Sequence, residues 1–388
     1  MLEKNRPILV TGAKGFVGKN LCLALRARGY ETVLEYDMGK TEEDLKAYAR
    51  DAQFVFHLAG VNRPKDPKEF YDGNSDLTTH LTELLLEAGN RAPILLTSSA
   101  QVGNGSDYGK SKALAEDTVF GYERHAHTKV YVYRMPGLFG KWCRPNYNSV
   151  VATFCHNIAH DLPIEVRDPG FELPLVYIDD VIDCFIAAME GNPLTDPLQP
   201  AYCAIAPIYH TTLGELSEKI RGFHESRSTL AVPDLTAGGF EKKLYSTYLS
   251  YLEPKEGFRY PLVMHGDDRG SFTEFLRTPE RGQVSVNISK PGITKGNHWH
   301  STKNEKYLVV SGKANIRFRL PDSDVIYDYH VSGEKLEVVD IPVGYTHCIT
   351  NEGDCDLVTV MWVNECFDAE HPDTFALPVE EKQPPFSF

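Results

Sequence analysis

From Pro7 to about residue 190, short apolar runs alternate with longer stretches in which apolar positions recur at intervals of three and four. The runs at 7–12, 31–37, 53–60, 93–99 and 129–136 predict strands, and the stretches at 16–28, 68–89 and 108–124 predict helices. Strands that are apolar almost throughout, separated by amphipathic helices, imply a parallel sheet covered on both faces, so the first domain is expected to be doubly wound. A further helix reads from Phe240 through Leu244 and Tyr248 to Leu252, with Pro254 as its stop. The boundary is expected there, dividing the chain into domains of residues 1–253 and 254–388. Beyond it the period changes. Short alternating strands at 283–289, 305–312, 314–320, 335–342 and 355–364, with Gly, Pro and Asp between them, predict a small antiparallel barrel or sandwich.

Composition narrows the partners. The chain carries 40 Lys and Arg against 54 Asp and Glu, a net charge of −14, which argues against binding a nucleic-acid backbone as its main task. Its longest apolar runs are strand-length, short of the roughly 18 residues that span a bilayer, so no membrane span is expected. Residues 1–7 lead into a strand without the apolar core of a signal peptide, and a cytoplasmic location is expected. The eight cysteines form no Cys-x-x-Cys pair and read as reduced thiols.

The first strand ends in Thr11-Gly12-Ala13-Lys14-Gly15-Phe16-Val17-Gly18, a G-x-x-G-x-x-G spacing that opens a helix. Glycines there let the backbone approach a pyrophosphate, and the helix N-terminus offers free N–H groups and a positive dipole end. Gly12, Lys14, Gly15, Phe16, Val17 and Gly18 are therefore candidate cofactor contacts, together with Leu58 and Ala59 at the end of the third strand. Asp37 closes the second strand, where a carboxylate holds an adenosine ribose and favours NAD. Lys14 and Lys40 point instead to a 2′-phosphate and NADP, so the residues leave both cofactors open.

Tyr108 and Lys112 stand four apart in Tyr-Gly-Lys-Ser-Lys and face the same way on a helix, with Ser98 and Ser99 just upstream at a strand end. An ammonium beside a phenol stabilises phenolate, so Tyr108 can exchange a proton with a carbonyl oxygen that a serine hydroxyl orients.

These motifs, with HLAG at 57–60, Asn74, and Val176-Tyr177-Ile178-Asp179-Asp180-Val181, resemble the extended short-chain dehydrogenase/reductases over roughly residues 7–250. The resemblance implies a Rossmann-type fold, Tyr108 as acid/base, Lys112 on the nicotinamide ribose and Ser99, in Ser-Ala-Gln-Val, as the serine. Tyr108 follows Ser99 by only nine positions, fewer than usual, and the sheet is expected to lack some peripheral structure. Members of this family act on sugars carried by nucleoside diphosphates. The polar, aromatic stretch at 140–149 is placed for such a substrate, with Arg144 as the diphosphate candidate beside Asn146 and Asn148; a solvated surface loop is the other reading.

In the second domain, Gly292, His298, His300, Glu305 and Gly312 are followed by Pro342, Gly344, His347 and Asn351. Alternate residues of a strand share a face, so His298 and His300 point the same way, and Glu305 with His347 completes a three-nitrogen, one-oxygen set suited to Zn, Fe, Mn or Ni. The pattern resembles both motifs of the cupin family over roughly 258–388, although Leu336 stands where the second motif usually has glycine. That resemblance implies a double-stranded β-helix, or jelly roll. Asp268 to Glu274 and Lys295-Gly296-Asn297-His298 are also similar to the deoxysugar 3,5-epimerases, metal-free cupins in which the residue matching His298 is the base. His298 is read here as a ligand, with the base among Lys303, Lys306, Tyr307 and His330, and Arg269 as a diphosphate contact.

Together with the strings VNRP (61–64) and KWCRPNYNS (141–149), the two halves resemble bifunctional capsular-polysaccharide synthesis enzymes. What this implies is C3 epimerisation of a UDP-linked 2-acetamido-2,6-dideoxy-hexos-4-ulose, then C4 reduction with NADPH to UDP-N-acetyl-6-deoxy-L-talosamine, a precursor of UDP-N-acetyl-L-fucosamine. A zinc-containing homodimer is implied as well. Two rivals stay open: a cupin that is a structural, zinc-stabilised dimerisation module, and a first domain that senses NADP ratios without catalysis.

Overall fold

The computed structural model describes residues 3–236, 239–278 and 280–380; the outer ends of both expected domains, residues 1–2 and 381–388, lie outside them. Five parallel strands, β1 (Ile8–Thr11), β2 (Val33–Tyr36), β3 (Phe54–His57), β4 (Ile94–Ser99) and β5 (Val130–Met135), form one sheet in the order β2-β1-β3-β4-β5. Successive strand residues divide between two cores. Ile8, Val10, Phe54 and Phe56 pack with Leu21, Leu25, Phe185 and Ile186 on one face, while Leu9 and Val55 pack with Leu45, Leu81, Leu85 and Val119 on the other. This is why the strands read as continuous apolar runs. The strand order reverses between β1 and β3, so the loops after them flank the crevice where a doubly wound sheet takes its ligand.

Helices α1 (Phe16–Ala27) and α2 (Glu42–Asp51) precede a helical stretch from Lys68 to Glu87, and α5 (Asp107–Ala126) follows β4. The sequence predicts one regular helix over 68–89. The structure has a short α3 (Lys68–Phe70), a π-helical segment (Tyr71–Asp76) and α4 (Leu77–Glu87). The widened turn carries Asn74, whose amide exchanges hydrogen bonds with both backbone groups of Val61 and donates to Ser111. A three-stranded sheet, β6 (Gly137–Phe139), β7 (Glu172–Tyr177) and β8 (Tyr209–Thr212), helices α6 (Val150–Ala159), α7 (Ile178–Met189) and α9 (Phe240–Leu249), and the first half of α8 (Leu213–Thr229) complete this part.

By internal contacts the chain divides into Met1–Arg221 with Thr236–Glu253, and Gly222–Leu235 with Pro254–Phe388. Residues 222–235 join the second unit because Leu230 and Val232 bond the backbone of Arg277 at 2.8 Å. That unit is all-β: β9 (His265–Asp267), β10 (Gly270–Thr278), β11 (Gly282–Ser289), β12 (Thr294–Trp299), β13 (Glu305–Ser311), β14 (Lys313–Arg319), β15 (Tyr327–Ser332), β16 (Val338–Ile341), β17 (Thr346–Asn351), β18 (Leu357–Val363) and β19 (Phe375–Ala376). They form two antiparallel sheets, β16-β13-β18-β11-β10-β9 and β15-β14-β17-β12-β19. Tyr307, Val309 and Leu357 from the first sheet share a core with Ile316, Phe318 and Ile349 from the second. The interior is not apolar throughout. Strand β11 buries Gln283, Ser285, Asn287 and Ser289 and leaves Val284, Val286 and Ile288 half-buried.

Candidate active site and candidate metal centre

The turn after β1 is built for close backbone approach. A Cβ on Gly18 would lie 2.2 Å from the Gly12 carbonyl oxygen and 2.7 Å from the Ala13 Cα, so only glycine lets α1 begin so near β1. Gly15 stands at the N-cap without a side-chain cap, and the first turn, which Phe16 and Val17 open, carries no acidic residue. The N–H groups there stay available to a pyrophosphate, and the turn fits a dinucleotide. Asp37 accepts the Lys14 N–H at 2.7 Å and the Met38 N–H at 2.8 Å, so its carboxylate holds the turn itself. The N–H groups of Leu58 and Ala59 both point to Thr11 Oγ1 at 3.2 Å, tying the end of β3 to that of β1.

Helix α5 starts at a Ser106 N-cap that accepts the Gly109 N–H at 3.0 Å, and this puts Tyr108 and Lys112 on successive turns. Lys112 is 5% exposed and donates to the Thr97 carbonyl oxygen at 3.1 Å. The point where a Cβ on Gly60 would sit is 3.0 Å from Lys112 Nζ and 2.7 Å from Asn74 Oδ1, so lysine and asparagine converge at the HLAG loop. Burial pushes Lys112 down to about 8, with Glu116 opposing. The Tyr108 phenol is raised by burial, with neighbouring Ser99 opposing, and its ring lies 5.5 Å from that of Phe70. Ser99, buried at the end of β4, is thus brought to Tyr108; Ser98 turns instead to Glu116. His57, which burial and Lys112 push down to about 3, is neutral between Thr11 and Thr78.

The carboxylate of Glu116 also takes Arg134, at 2.6 and 3.0 Å, and the Tyr202 hydroxyl at 3.0 Å. Sequence reasoning passed over Glu116, although it continues the four-residue spacing of Tyr108 and Lys112. It also passed over Arg63, in VNRP, and Tyr147. The guanidinium of Arg144 lies 5.0 Å from the Tyr147 ring, and that of Arg63 lies 6.0 Å from the same ring. Asn146 takes a left-handed backbone, φ +54°, and its amide donates to Asn157, whereas Asn148 is exposed. Arg269 is committed to Asp267 through two guanidinium hydrogen bonds of 2.6 and 3.0 Å.

The four predicted ligand residues come together. One ligand atom from each of His298, His300, Glu305 and His347 lies within 4.8 Å of the others. His298 reaches the cluster past a register shift between Gly296 and His298, and a Cβ on Gly296 would press to 2.8 Å from the His347 carbonyl oxygen. His300 donates from Nδ1 to the Asp373 carbonyl at 2.6 Å, which leaves Nε2 facing inward. Nε2 of His300 and of His347 are buried without a hydrogen-bond partner, 3.7 and 3.2 Å from Glu305 Oε2. Two orphaned imidazole nitrogens around one carboxylate fit a divalent transition metal. Burial, aided by His347 and His300, pushes His298 down to about 4, and neutral imidazole is the ligating form. Burial alone would raise Glu305, but His300 and His347 outweigh it and hold the carboxyl well below its usual range.

The base candidates separate. Lys306 pairs with Asp340, and His330 lies 3.0 Å from Glu352 on the surface. Tyr307 donates to Glu305 at 3.1 Å, and buried Lys303 donates to the Pro372 carbonyl. All eight cysteines are unpaired, and among the described residues no helix is long and apolar enough to cross a membrane.

Residues 8–196 match the NAD dependent epimerase/dehydratase family, and residues 265–375 match the polysaccharide biosynthesis C-terminal domain. The chain is 44% identical to the UDP-2-acetamido-2,6-beta-L-arabino-hexul-4-ose reductase of Pseudomonas aeruginosa, over 96% of this chain and 99% of that one. It superposes on the crystal structure of the capsular polysaccharide assembling protein CapF from Staphylococcus aureus with a TM-score of 0.89 and 52% identity, covering 96% and 99% of the two chains. A second CapF structure, with the inhibitor 3-isopropenyl-tropolone, gives a TM-score of 0.86 and 49% identity over the same shares. Over nearly its full length, therefore, the chain belongs to the family of CapF and the hexulose reductase, in which an NAD dependent epimerase/dehydratase domain precedes a polysaccharide biosynthesis C-terminal domain.

Proposed function

We propose that this chain is a nucleotide-sugar reductase of capsular or O-antigen polysaccharide assembly that also epimerises its substrate. Its first domain, residues 1–253, reduces the C4 ketone of a UDP-linked 2-acetamido-2,6-dideoxy-hexos-4-ulose, and its second, a cupin over residues 254–388, inverts C3 beforehand. The product is UDP-N-acetyl-6-deoxy-L-talosamine. The observation that carries the reading is the meeting of Tyr108, Ser99 and buried Lys112 beside the glycine turn, in a chain 44% identical to a hexulose reductase.

When bound at that turn, NADPH supplies hydride to C4. Ser99 hydrogen-bonds the ketone oxygen, and Tyr108 gives its phenolic proton to that oxygen as negative charge develops there. Lys112 holds the nicotinamide ribose and favours the phenolate left behind. Lys14 is free to meet a 2′-phosphate because Asp37 is engaged with backbone amides, which supports NADPH over NADH. Arg144, joined by Arg63 across Tyr147, receives the substrate's diphosphate in the first domain, and Arg269, paired with Asp267, is the candidate contact in the second.

At C3 the neighbouring ketone makes the C–H acidic; His298, His300, Glu305 and His347 would hold a divalent metal, read as zinc, which when bound would supply Lewis-acid charge there. Lys303 is the buried base candidate on the loop between the ligands. Epimerisation is nearly isoenergetic, and the following reduction draws it forward. The reading includes a homodimer working in the cytoplasm. Product analysis by NMR after incubation with NADPH and the 4-keto UDP-sugar tests it. A 6-deoxy-talo product supports the reading; a C4 alcohol with C3 unchanged refutes the epimerase half, and no C4 alcohol refutes the reductase half.

A further inference from the structure

Each histidine of the cluster is tied, directly or through its neighbour in sequence, to one short segment near the end of the described chain. Strand β19 pairs with β12 through His298↔Ala376 and Trp299↔Phe375, and the Phe375 ring stacks on Trp299 at 4.6 Å. The Leu377 N–H donates to the Asn297 carbonyl at 2.8 Å, and the Val379 N–H to Asn297 Oδ1 at 3.1 Å. Thr346, next to His347, donates its hydroxyl to the Leu377 carbonyl. Leu377 and Val379 are 2% and 1% exposed, and buried Arg319 holds the carbonyls of Pro378 and Val379 at 2.6 and 2.7 Å.

Asp373 does the most at this junction. Its carbonyl accepts His300 Nδ1 at 2.6 Å, while its carboxylate accepts the backbone N–H groups of Ser301, Thr302 and Lys303 at 2.8 to 3.1 Å and the Thr302 hydroxyl at 3.0 Å. The carboxylate thus anchors the loop that follows His300 to the same residue whose carbonyl orients the imidazole. Asp373 does so from a left-handed backbone, φ +41°, a conformation that non-glycine residues keep when the surroundings impose it.

We propose that Asp373 is a positioning residue of the metal centre, whose carboxylate fixes the loop after His300 so that the imidazole presents Nε2 to a divalent transition metal before the metal arrives. The proposal rests on the reading of the four residues as ligands. A ligand oriented in advance spends less ordering entropy on binding, and loss of such an outer contact typically costs about 10–100-fold in metal affinity.

The test is Zn²⁺ affinity of the full-length protein, by competition with a chromophoric chelator, for wild type, Asp373→Ala, Asp373→Asn and His347→Ala, with Co²⁺ spectra of each. Asp373→Ala should weaken Zn²⁺ by about 10–100-fold and shift the Co²⁺ ligand-field bands, Asp373→Asn should recover part of the affinity, and His347→Ala should lose the site. Wild-type affinity and an unchanged Co²⁺ spectrum in Asp373→Ala, with His347→Ala still defective, would overturn the positioning role alone. Unaltered Zn²⁺ binding in His347→Ala, or none in wild type, would overturn the ligand reading and the positioning role with it. Metal-free melting of Asp373→Ala identifies a folding defect; if it does not fold, the Asp373→Asn affinity and spectrum decide, wild-type values overturning the role.

Discussion

Lys112 and Glu116 occupy successive turns of one face of α5, and the second opposes what burial does to the first. The other titratable groups at Lys112 do not compete in the working range: burial and Lys112 keep His57 neutral, and burial keeps the Tyr108 phenol protonated. Lys112, which burial brings down to about 8, is therefore expected to set the alkaline limb of the reductase. Glu116 raises that value, so Glu116→Gln should move the limb of kcat/KM for NADPH-dependent reduction to lower pH. A limb that stays in place or moves upward contradicts the assignment.

The same burial makes a stability prediction. The folded-state value of Lys112, about 8, lies below its ordinary 10.5, so the cost of burying its charge is fully present below pH 8 and is relieved as pH rises towards 10.5. Lys112→Met should abolish reduction yet raise the melting temperature of the cofactor-free protein at neutral pH, by roughly 2–4 °C for each kcal/mol recovered. The gain should shrink at alkaline pH. Calorimetry at two pH values checks it; a lower melting temperature at neutral pH contradicts it.

Lys14 reports on cofactor choice. With Asp37 held by the Lys14 and Met38 amides, Lys14→Glu should raise KM for NADPH by roughly 10–100-fold, the equivalent of about 1.5–3 kcal/mol for a charged hydrogen bond, and leave KM for NADH nearly unchanged. Equal effects on both cofactors would remove Lys14 from the 2′-phosphate.

Arg63 and Arg144 share the Tyr147 ring, so their effects on substrate binding should be coupled. Each change to Ala should raise KM for the UDP-sugar by about tenfold with little change in kcat, and the double variant should deviate from the sum of the two. Unaltered KM in both single variants would place the diphosphate elsewhere.

Much of this was legible because two features wrote themselves into local pattern. A parallel sheet buried on both faces gives uninterrupted runs such as Ile8–Thr11 and Phe54–His57, and a glycine turn needs glycine where a side chain would collide, as at Gly18. Strand β11 was found through its alternating Val284, Val286 and Ile288 although the residues it buries are polar, whereas β12 and β17 were missed. Strand β17 buries Thr346, His347 and Asn351, and β12 carries Gly296, Asn297 and His298, so neither shows the apolar alternation by which strands are recognised. Their polarity belongs to the histidine cluster, which was found through ligand spacing instead. Asp373 left no such mark: it stands 73 residues from His300, and only the fold brings them together. The π-helical turn at Asn74 was hidden for a related reason, because its neighbours keep helical periodicity while the asparagine bonds Val61.

The central claim is that one chain performs two separable reactions on one sugar. The most direct measurement is solvent deuterium incorporation at C3 of the 4-keto UDP-sugar, followed alongside NADPH oxidation in full-length Tyr108→Phe. The account predicts that oxidation falls by about 10²–10⁴-fold while deuterium enters C3 at the wild-type rate. Retained NADPH oxidation, or no deuterium at C3 in a folded, metal-loaded protein, would contradict it.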